Sequence, residues 1–489
     1  MSGYTELLLI GTLILHSGLC SLDDNPKIAI VGGGIGGASA SHYLTELFDG
    51  KLSIDLYEAG KLGGRLSTVE VRGMEFETGG SIINERNVLM KRFVKLLGME
   101  ERGTCGEQTI GIWNKETFVF QESSYQFMTL AKLIYRYGLQ PFRLHGYVSS
   151  IIDDFEKIYK LQDEGVAFTN LTGLLSAMNS EFPNILKISM KEHLTNLRYS
   201  SRLIDELVEA ALVVSYGQST GIQSFVGLVA VAGTGASLWS VKGGNRHVPE
   251  HLVYRNSRVT VVPSVVKKIV HLPGDDLRAQ YELHYVNSGS SDTMKSTYDI
   301  VIVAAPLTRD QSMPIEFEDF PESAKIEFPG SYQSIFVTFI HGYLNPKYFD
   351  LDEPMAMILS CDPEKTIINA VGKLVSVEGN CSEVWKIFTS EPLEQRVIDD
   401  MFTQVEHIEI IKWKAYPKYS TAEPRLDFKL HDSLYHVNAI EWAASAMEMS
   451  AVGGRNVAIL AYNEWNKSKG LPSKASHSRP DRSAFSGEL

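Results

Sequence analysis

The sequence predicts an α/β fold built around a parallel sheet. Residues 27–31 form a short apolar run rich in β-branched residues, which is typical of a buried parallel strand. The run leads directly into a glycine-rich turn, 32–37, and then into a segment with apolar residues at helical spacing. A second strand is expected at 52–57. Strand, turn, helix and strand in this order form the repeating unit of doubly wound sheets.

The glycine-rich turn predicts a dinucleotide site. Gly32, Gly34 and Gly37 occupy the positions of a G-x-G-x-x-G fingerprint, with Ile35 and Gly36 between them. These glycines permit a tight turn, close approach of the backbone to pyrophosphate, and close packing of helix on strand. The following helix would direct unpaired N–H groups at the phosphates. A plain glycine-rich surface turn is the alternative, and the ordered segments around the turn argue against it.

The residues after the second strand favour FAD as the dinucleotide. Glu58 lies 21 residues after Gly37, where a carboxylate accepts hydrogen bonds from ribose hydroxyls and would repel the 2′-phosphate of NADP. Beyond it, Gly64 lets the backbone approach a ligand, and Arg65 can bind pyrophosphate oxygens. A Glu-x-Gly-Gly segment follows at 77–80. Together these segments resemble the FAD-binding arm of the flavin amine oxidase and phytoene desaturase superfamily, although two ordinary glycine turns are the alternative.

The rest of the chain alternates between helical and strand-like patterns. Residues 85–215 are largely helical in pattern, strands are expected near 258–270 and 298–306, and a last helix is expected over 440–466. We therefore expect a Rossmann-type FAD-binding domain built from discontinuous segments, with an inserted mixed α+β substrate domain. The expected division is a signal peptide at 1–20, an FAD-binding domain at 27–85, 220–310 and 430–466, a substrate domain at 86–219 and 311–429, and a disordered tail at 467–489.

Composition limits the class of protein. A chain of 489 residues is too long for one core and suits two or three domains. The net charge of −13 argues against a nucleic-acid partner.

The first twenty residues contain an apolar run too short to span a bilayer comfortably, followed by small Gly18 and Cys20, as in a cleaved secretory signal. An uncleaved anchor is the alternative. No later run has 18 apolar residues, so no transmembrane segment is expected in the mature chain.

Cysteines and glycosylation sequons fit entry into the secretory pathway. Cys361 and Cys381 could form a disulfide in an oxidising compartment, leaving Cys105 free, and three unpaired thiols are the alternative. No metal-binding cluster or catalytic triad is evident, so no metal site is expected. The candidate glycosylation sites are Asn170, Asn380 and Asn466.

Longer segments resemble the prenylcysteine oxidases, which are lysosomal FAD enzymes. The resemblance runs from about residue 27 to 466. The segments that carry it are 28–80 with 90–94, Tyr-Gly-Gln-Ser-Thr at 216–220 with 225–227, Leu-Trp-Ser-Val-Lys-Gly-Gly-Asn at 238–245, and 440–451. Gly33 and Trp442 depart from the family pattern, and residues 350–400 match it only loosely.

The resemblance implies site residues and a reaction. S-farnesyl- or S-geranylgeranylcysteine from degraded prenylated proteins would be oxidised with dioxygen to cysteine, a prenyl aldehyde and hydrogen peroxide. Gly243, Gly244 and Asn245 would pass near the isoalloxazine, and His247 could touch substrate, although a lone histidine is more often a surface or packed residue. By motif match the implied contacts are Gly32, Gly34 and Gly37 with pyrophosphate, Glu58 with the adenosine ribose, Gly64 and Arg65 with the phosphates, Val266 with adenine, and Glu441 and Met447 beside pyrophosphate and flavin.

Other functions stay open at this point. An FAD oxidase or desaturase acting on an amine or a polyene is one alternative, and a secreted, non-catalytic FAD-fold relative is another, because cofactor motifs can outlast activity. Lysosomal residence rests on the resemblance, with secretion as the alternative, and the oligomeric state is left open. An apolar stripe in the helical region would line a prenyl pocket or, as we expect for most of it, belong to the core: Phe127, Leu130, Leu133, Ile134 and Phe142.

Overall fold

A computed structural model describes most of the chain. The residues expected to form the signal peptide, 1–20, and nearly all of the expected tail lie outside the described residues. The described ranges are 25–106, 109–233, 237–273, 280–422 and 425–470, without the side chain of Ser323.

The elements of the described chain are as follows. The strands are β1 (Lys27–Val31), β2 (Ser53–Glu58), β3 (Thr68–Val71), β4 (Met74–Glu77), β5 (Ile83–Asn84), β6 (Ile110–Trp113), β7 (Phe118–Gln121), β8 (Leu238–Trp239), β9 (Val259–Leu272), β10 (Gln280–Asn287), β11 (Thr293–Tyr298), β12 (Ile300–Val303), β13 (Glu316–Glu318), β14 (Tyr332–Leu344), β15 (Met357–Ser360), β16 (Ile368–Val375), β17 (Cys381–Thr389), β18 (Phe402–Pro417), β19 (Lys429–His431) and β20 (Leu434–His436). The α-helices are α1 (Ile35–Leu47), α2 (Val88–Leu97), α3 (Gln126–Tyr137), α4 (Gln140–Phe155), α5 (Lys157–Asp163), α6 (Leu171–Met178), α7 (Phe182–Ile185), α8 (Met190–Asn196), α9 (Ser201–Leu203), α10 (Glu209–Tyr216), α11 (Ser224–Ala232), α12 (His247–Tyr254), α13 (Gln395–Met401) and α14 (Met447–Ser468). A π-helix spans Ile204–Val208, and 3₁₀ helices span Glu322–Ala324, Pro346–Phe349 and Val437–Trp442.

The first sheet confirms the predicted α/β class. Its strand order is β11-β10-β9-β2-β1-β12-β20-β19, with β13 beside β9. Strands β9, β2, β1, β12 and β20 run parallel, and Ile28 of β1 lies between Ile54 and Ile300. β1 is buried on both faces, as expected for its β-branched run. Because β9, β12 and β20 come from distant parts of the chain, the dinucleotide turn after β1 lies beside residues far from it in sequence.

Helices α1 and α14 cover one face of this sheet. Their backbones approach closely where Gly36 meets Gly454, since a side-chain carbon at Gly454 would collide with the Gly36 carbonyl. The Ser39 hydroxyl donates to the Ala451 carbonyl at 2.8 Å, across 412 residues of sequence. The first and last long helices of the described chain are therefore packed as one unit.

The second sheet is mixed, with the strand order β18-β14-β17-β16-β15-β6-β7. One of its faces packs on the β3–β4 hairpin, where Val71 and Phe76 contact a cluster that includes Val337 and Phe339. Helices α3 to α11 lie between β7 and β8 in the chain. The hairpin therefore joins the second sheet to the glycine-rich arm of the first, and the space beside this junction contains the candidate site. The division into domains remains a prediction.

Several sequence expectations need correction. The largely helical stretch 85–215 also contains strands β6 and β7, which pair with each other and with β15. The last helix begins at Met447, not at Ile440, because 437–442 form a buried 3₁₀ helix, and it continues to Ser468. Among the described helices, none is long and apolar enough to span a membrane.

Both alternatives for the cysteines, a Cys361–Cys381 disulfide and three unpaired thiols, were wrong. Cys381 pairs with Cys105, at a Cα–Cα distance of 5.5 Å, and Cys361 is a buried free thiol. Register explains the error: Leu359 of β15 lies opposite Ala370 on β16, whereas Cys381 lies opposite Val375. At about 3.3 Å per residue along β16, Cys361 and Cys381 are too far apart for a bond.

The three sequons differ in accessibility. Asn380 is exposed in the turn before β17. Asn170 is half-buried and caps α6, with its side-chain oxygen accepting from the Gly173 N–H at 2.8 Å. Asn466 is buried inside α14, at 8% exposure. Because an N-glycan is bulky and needs a surface site, the structure argues against Asn466 and leaves the other two as predictions.

Candidate active site

The glycine-rich turn places the uncapped amino end of α1 at the carboxyl edge of the parallel sheet. Gly32 has φ +110° and lies against the Ala304 backbone, where a side-chain carbon would stand 3.0 Å from the carbonyl atoms. Gly34 is the N-cap of α1 and makes no side-chain capping bond, and the first turn of α1 carries no acidic residue. The N–H groups of this turn and the helix dipole therefore form a site suited to phosphate.

The other residues of the turn have packing roles. A side-chain carbon at Gly36 would lie 2.8 Å from Val437 Cγ1, and Ile35 is buried. Gly33 departs from the family pattern and faces the Leu62 side chain, which fills the space that a larger residue would need. Sequence similarity did not indicate that the Leu62 side chain occupies the space beside Gly33.

Glu58 holds the turn in place from the end of β2. Its two carboxylate oxygens accept from the Gly33 N–H and the Gly60 N–H, each at 2.8 Å. It also lines a cavity of about 230 Å³, where the other walls include Val261 and Pro263 of β9. A carboxylate in this position is suited to a ribose, as the sequence predicts.

Gly64 and Arg65 lie directly beside the glycine-rich turn. Gly34 and Gly63 form an isolated β-bridge, and a side-chain carbon at Gly64 would stand 3.4 Å from Gly34 Cα. Gly64 has φ +59°, which a glycine adopts without strain. Within 4 Å, a side-chain carbon at Gly34 would meet one described atom, the Gly63 carbonyl oxygen at 3.9 Å. The space beside Gly34 is therefore open.

Half-buried Arg65 and buried Glu441 form an ion pair at the centre of this region. Arg65 Nη2 donates to Glu441 Oε1, while Nη1 donates to the Ala415 carbonyl at 2.8 Å and to Ser445 Oγ at 2.9 Å. The Tyr332 hydroxyl donates to the other Glu441 oxygen. The structure thus brings together two residues that the sequence assigned to the phosphates. Tyr332 was not identified by sequence reasoning.

The segment after Glu441 turns into the uncapped end of α14. Met447 is the first residue of α14 and is half-buried, and a side-chain carbon at Gly80 would stand 3.7 Å from its Cγ. Trp442, the second departure from the family pattern, is buried where Gly330 leaves room for its ring. Met447 therefore borders the Gly79–Gly80 segment, and its contact with the cofactor stays a prediction.

Asn245 is fully buried and ties two glycine-containing loops together. Its side chain accepts from the Val241 N–H at 2.9 Å and donates to the Gly80 carbonyl at 3.0 Å. Its own N–H donates to Glu77 Oε1 at 2.6 Å. These bonds occupy its polar atoms, so Asn245 positions the loops and is a poor candidate for a general base.

Below these loops lies a buried pair of titratable groups. Lys386 of β17 donates from Nζ to the Glu77 carbonyl at 3.0 Å and is 5% exposed. Burial lowers the pKa of Lys386 to about 7, opposed by the Glu77 carboxylate. Burial also raises the pKa of Glu77, opposed by the hydrogen bond from Asn245 and by the charge of Lys386. The local sequence around Lys386 gave no indication that this lysine is buried beside Glu77.

An aromatic cluster borders the 441–447 segment. Tyr216 packs edge-on against Tyr416 and Tyr419, with ring centroids 5.2 and 5.5 Å apart. The Tyr216 hydroxyl donates to the Ser445 carbonyl at 3.1 Å, and the Ser445 N–H donates to the Tyr419 hydroxyl at 2.8 Å. Burial raises the pKa of these tyrosines, so their hydroxyls stay protonated at neutral pH. Of this cluster, sequence similarity indicated Tyr216 alone.

Two predicted site residues lie away from this centre. Val266 is buried on β9 opposite Tyr285, beyond the part of β9 that pairs with β2. His247 begins α12, where its Nδ1 lies 2.8 Å from Glu250 Oε2, and it lines a separate open cavity of about 260 Å³ with His251. The roles of Val266 and His247 remain predictions.

A comparison of the whole sequence with protein families decides the assignment. A family model described as prenylcysteine lyase matches residues 120–471, and one described as an NAD(P)-binding Rossmann-like domain matches 30–97. The chain belongs to the prenylcysteine lyase family. Its match covers helices α3 to α14 and strands β14 to β18 of the second sheet, and it lies wholly outside the glycine-rich turn at 32–37.

Individual relatives agree with this family. The chain is 39% identical to prenylcysteine oxidase 1 of Bos taurus over 90% of its own length and 89% of that protein. It is 34% identical to prenylcysteine oxidase 1-like of Homo sapiens over 95% and 96% of the two chains. A putrescine oxidase structure shares the fold at a TM-score of 0.56 and 14% identity, covering 89% of this chain and 98% of that one.

The family and the fold confirm FAD as the cofactor and an FAD-dependent oxidoreductase as the class of enzyme. The residues present fit this group. The end of α1 has no side-chain cap, and the space beside its N-cap residue, Gly34, is open.

Proposed function

We propose that this chain oxidises S-prenyl-L-cysteine, with a farnesyl or geranylgeranyl group, to free cysteine and the prenyl aldehyde during the degradation of prenylated proteins. The observation that carries the proposal is the family match over 120–471, which includes strands β14 to β18 of the second sheet and the aromatic cluster. A match confined to the nucleotide-binding turn would support a cofactor and nothing about the substrate.

The proposed reaction consumes one water and one dioxygen for each thioether cleaved. When bound, FAD accepts a hydride from the carbon that joins the prenyl group to sulfur and returns the electrons to dioxygen, which leaves as hydrogen peroxide. Sulfur and the adjacent alkene stabilise the cation left on that carbon. Water adds to this cation, a proton is released, and the carbon–sulfur bond of the hemithioacetal breaks to give thiol and aldehyde.

The chain's own residues would bind and orient the reactants. Arg65 offers a cation near the phosphates, and its bonds to Glu441 and Ser445 fix its position. The protonated phenols of Tyr216 and Tyr419 and their packed rings limit water beside 441–447. This hydride route needs no strong base at the reacting carbon. The hydrogen bonds of the Asn245 side chain to the Val241 N–H and the Gly80 carbonyl agree with this, because they give Asn245 a positioning role.

We also propose that the chain enters the secretory pathway and resides in the lysosome, with secretion as the alternative. The Cys105–Cys381 disulfide supports an oxidising compartment. Exposed Asn380 and half-buried Asn170 are the proposed glycosylation sites. Mass spectrometry of the protein secreted by, or retained in, expressing cells would test the signal cleavage and both glycans.

One experiment separates the proposed activity from its alternatives. Purified flavin-loaded chain is mixed anaerobically with farnesylcysteine or geranylgeranylcysteine, and flavin bleaching is followed before prenyl aldehyde is measured in air. Cysteine bearing a saturated S-alkyl chain is the matched control, and we expect much slower bleaching because no alkene stabilises the cation. Bleaching by putrescine or a polyene instead would favour another oxidase. A flavin-loaded chain that none of these bleaches would favour a non-catalytic relative.

A further inference from the structure

An apolar surface on α3 and the start of α4 has no partner within the described chain. The α3–α4 face is defined by Tyr125, Phe127, Leu130, Ile134, Leu139 and Phe142, all of which are exposed large hydrophobic residues. Phe127 and Leu139 are 68% and 70% exposed. These residues therefore do not belong to the core, so the expectation of a core role was wrong for Phe127, Leu130, Ile134 and Phe142, while their part in a prenyl pocket stays a prediction. Contiguous apolar patches of this kind mark interaction surfaces.

Helix α3 is held so that this face points outwards. Tyr137 is the buried residue of α3, and its hydroxyl donates to Glu206 at 2.8 Å. Arg136 donates to the two oxygens of the same carboxylate at 2.6 and 2.7 Å. These bonds anchor the carboxyl end of the helix to the π-helical segment, so the apolar stripe has a fixed orientation rather than being an unfolded end.

The charges around the face favour an anionic lipid surface over other occupants. Residues 123–152 contain no Asp or Glu, although the whole chain carries a net charge of −13. The same stretch carries Lys132, Arg136 and Arg143. Arg136 is paired with Glu206, whereas Lys132 donates to the Gln121 carbonyl at 3.2 Å and has no carboxylate partner among the described residues. Aromatic and aliphatic side chains beside basic residues are the features of helices that lie in a membrane interface.

We propose that the α3–α4 face docks the enzyme on the surface of an anionic phospholipid bilayer, with α3 lying in the interface. Phe127 and Leu139 would enter the region between headgroups and acyl chains, while Lys132 would contact lipid phosphates. Docking does not depend on the identity of the substrate. If the proposed function is correct, the same bilayer would concentrate prenylcysteine beside the enzyme, and this link alone rests on that function.

Vesicle sedimentation tests the docking surface without substrate. The full flavin-loaded chain is mixed with vesicles of phosphatidylcholine alone, or of phosphatidylcholine with phosphatidylserine, and the bound fraction is measured at low and high salt. We expect stronger binding to the acidic vesicles and a decrease with salt. Phe127→Glu should weaken binding about tenfold or more, because a buried phenylalanine is lost and a charge is added. Lys132→Glu should weaken binding about fivefold to acidic vesicles and little to neutral ones.

The matched control is Tyr343→Glu, which adds the same charge at a residue that is 51% exposed on β14. This variant should bind vesicles as the wild type does. The proposal is overturned if the wild type sediments with neither vesicle, or if Phe127→Glu and Tyr343→Glu behave alike. It is also overturned if the chain forms a dimer without lipid that Phe127→Glu dissociates, because the face would then belong to a second copy. Anaerobic bleaching by soluble substrate should survive Phe127→Glu, so a failure of docking and a failure of the proposed activity are distinguishable.

Discussion

At the scale of single residues, Glu58 combines two tasks that the sequence could suggest only in part. Its position after β2 predicts a ribose contact. In the structure both of its oxygens also accept backbone N–H groups, from Gly33 and Gly60, and so hold the glycine-rich turn against the next loop. Removing the carboxylate should therefore disturb the cofactor site from two sides.

We expect Glu58→Ala to weaken FAD binding about 10- to 100-fold, which corresponds to the loss of about 1.5–3 kcal/mol from hydrogen bonds to a charged group. Flavin retained after dialysis gives the binding constant, and thermal unfolding of the apoprotein gives the effect on folding. Exposed Glu70→Ala on β3 is the control and should change neither measurement. Equal losses of flavin and of apoprotein stability would instead assign Glu58 a mainly structural role.

Lys386 gives a residue-scale prediction about pH. Burial lowers its pKa to about 7 in the folded chain, whereas an ordinary lysine has a pKa of 10.5. Between about pH 7 and about pH 10 the unfolded chain holds a proton at Lys386 that the folded chain has lost. The free energy of unfolding should therefore rise with pH in this window, by at most about 1.4 kcal/mol per pH unit from this residue.

Urea unfolding across this window compares the wild type with Lys386→Met. The variant should lose this rising contribution and be more stable than the wild type near pH 7, where the buried amine costs most. Lys412→Met is the control, since Lys412 is exposed on β18 of the same sheet. The assignment fails if the stability difference between the wild type and Lys386→Met is the same at both ends of the window.

At the scale of elements, the disulfide fixes how the loop before β6 meets the beginning of β17. Cys105 and Cys381 are separated by 276 residues of sequence. A link across so long a segment restricts the unfolded chain strongly, and removing such a disulfide typically costs about 2–5 kcal/mol. The glycine-rich loop at 243–244 lies nearby, because the Gly243 N–H donates to the Val377 carbonyl.

We expect Cys105→Ser to lower the free energy of unfolding by about 2–5 kcal/mol and to make Cys381 reactive to thiol reagents. Urea unfolding and thiol labelling with peptide mapping measure the two effects. Cys361→Ala is the control, because it removes the free thiol and leaves the disulfide intact. Labelling of Cys105 and Cys381 in the untreated wild type would contradict the pairing.

At the scale of the whole molecule, the candidate site is assembled from every part of the described chain. The phosphate-binding turn follows β1, Glu77 ends β4, Asn245 precedes α12, Lys386 lies on β17 and Glu441 precedes α14. Parallel order in the first sheet brings the ends of β1 and β20 to one edge. The β3–β4 hairpin then places the second sheet against the Gly79–Gly80 arm. A site assembled in this way depends on both sheets at once.

The sequence alone determined the features that depend on residues close together in the chain. The dinucleotide turn, Glu58 and the strand patterns are local signals, because glycine spacing and β-branched runs act through the backbone within a few residues. The resemblance added the family and FAD, both confirmed. These signals also predicted the α/β class correctly, since a β-strand, turn and helix in close succession have few ways to pack.

Only the tertiary structure decided the features that depend on residues far apart in sequence. Register along β16 separates Cys361 from Cys381, and the fold brings Cys105 to Cys381 instead. The pairing of β17 with β14 and β16 decided the burial of Lys386. Packing likewise left Phe127 on the surface, although its helical spacing is the same as that of a core residue. Amphipathic spacing states which residues share a face, but the neighbouring elements determine whether that face is covered.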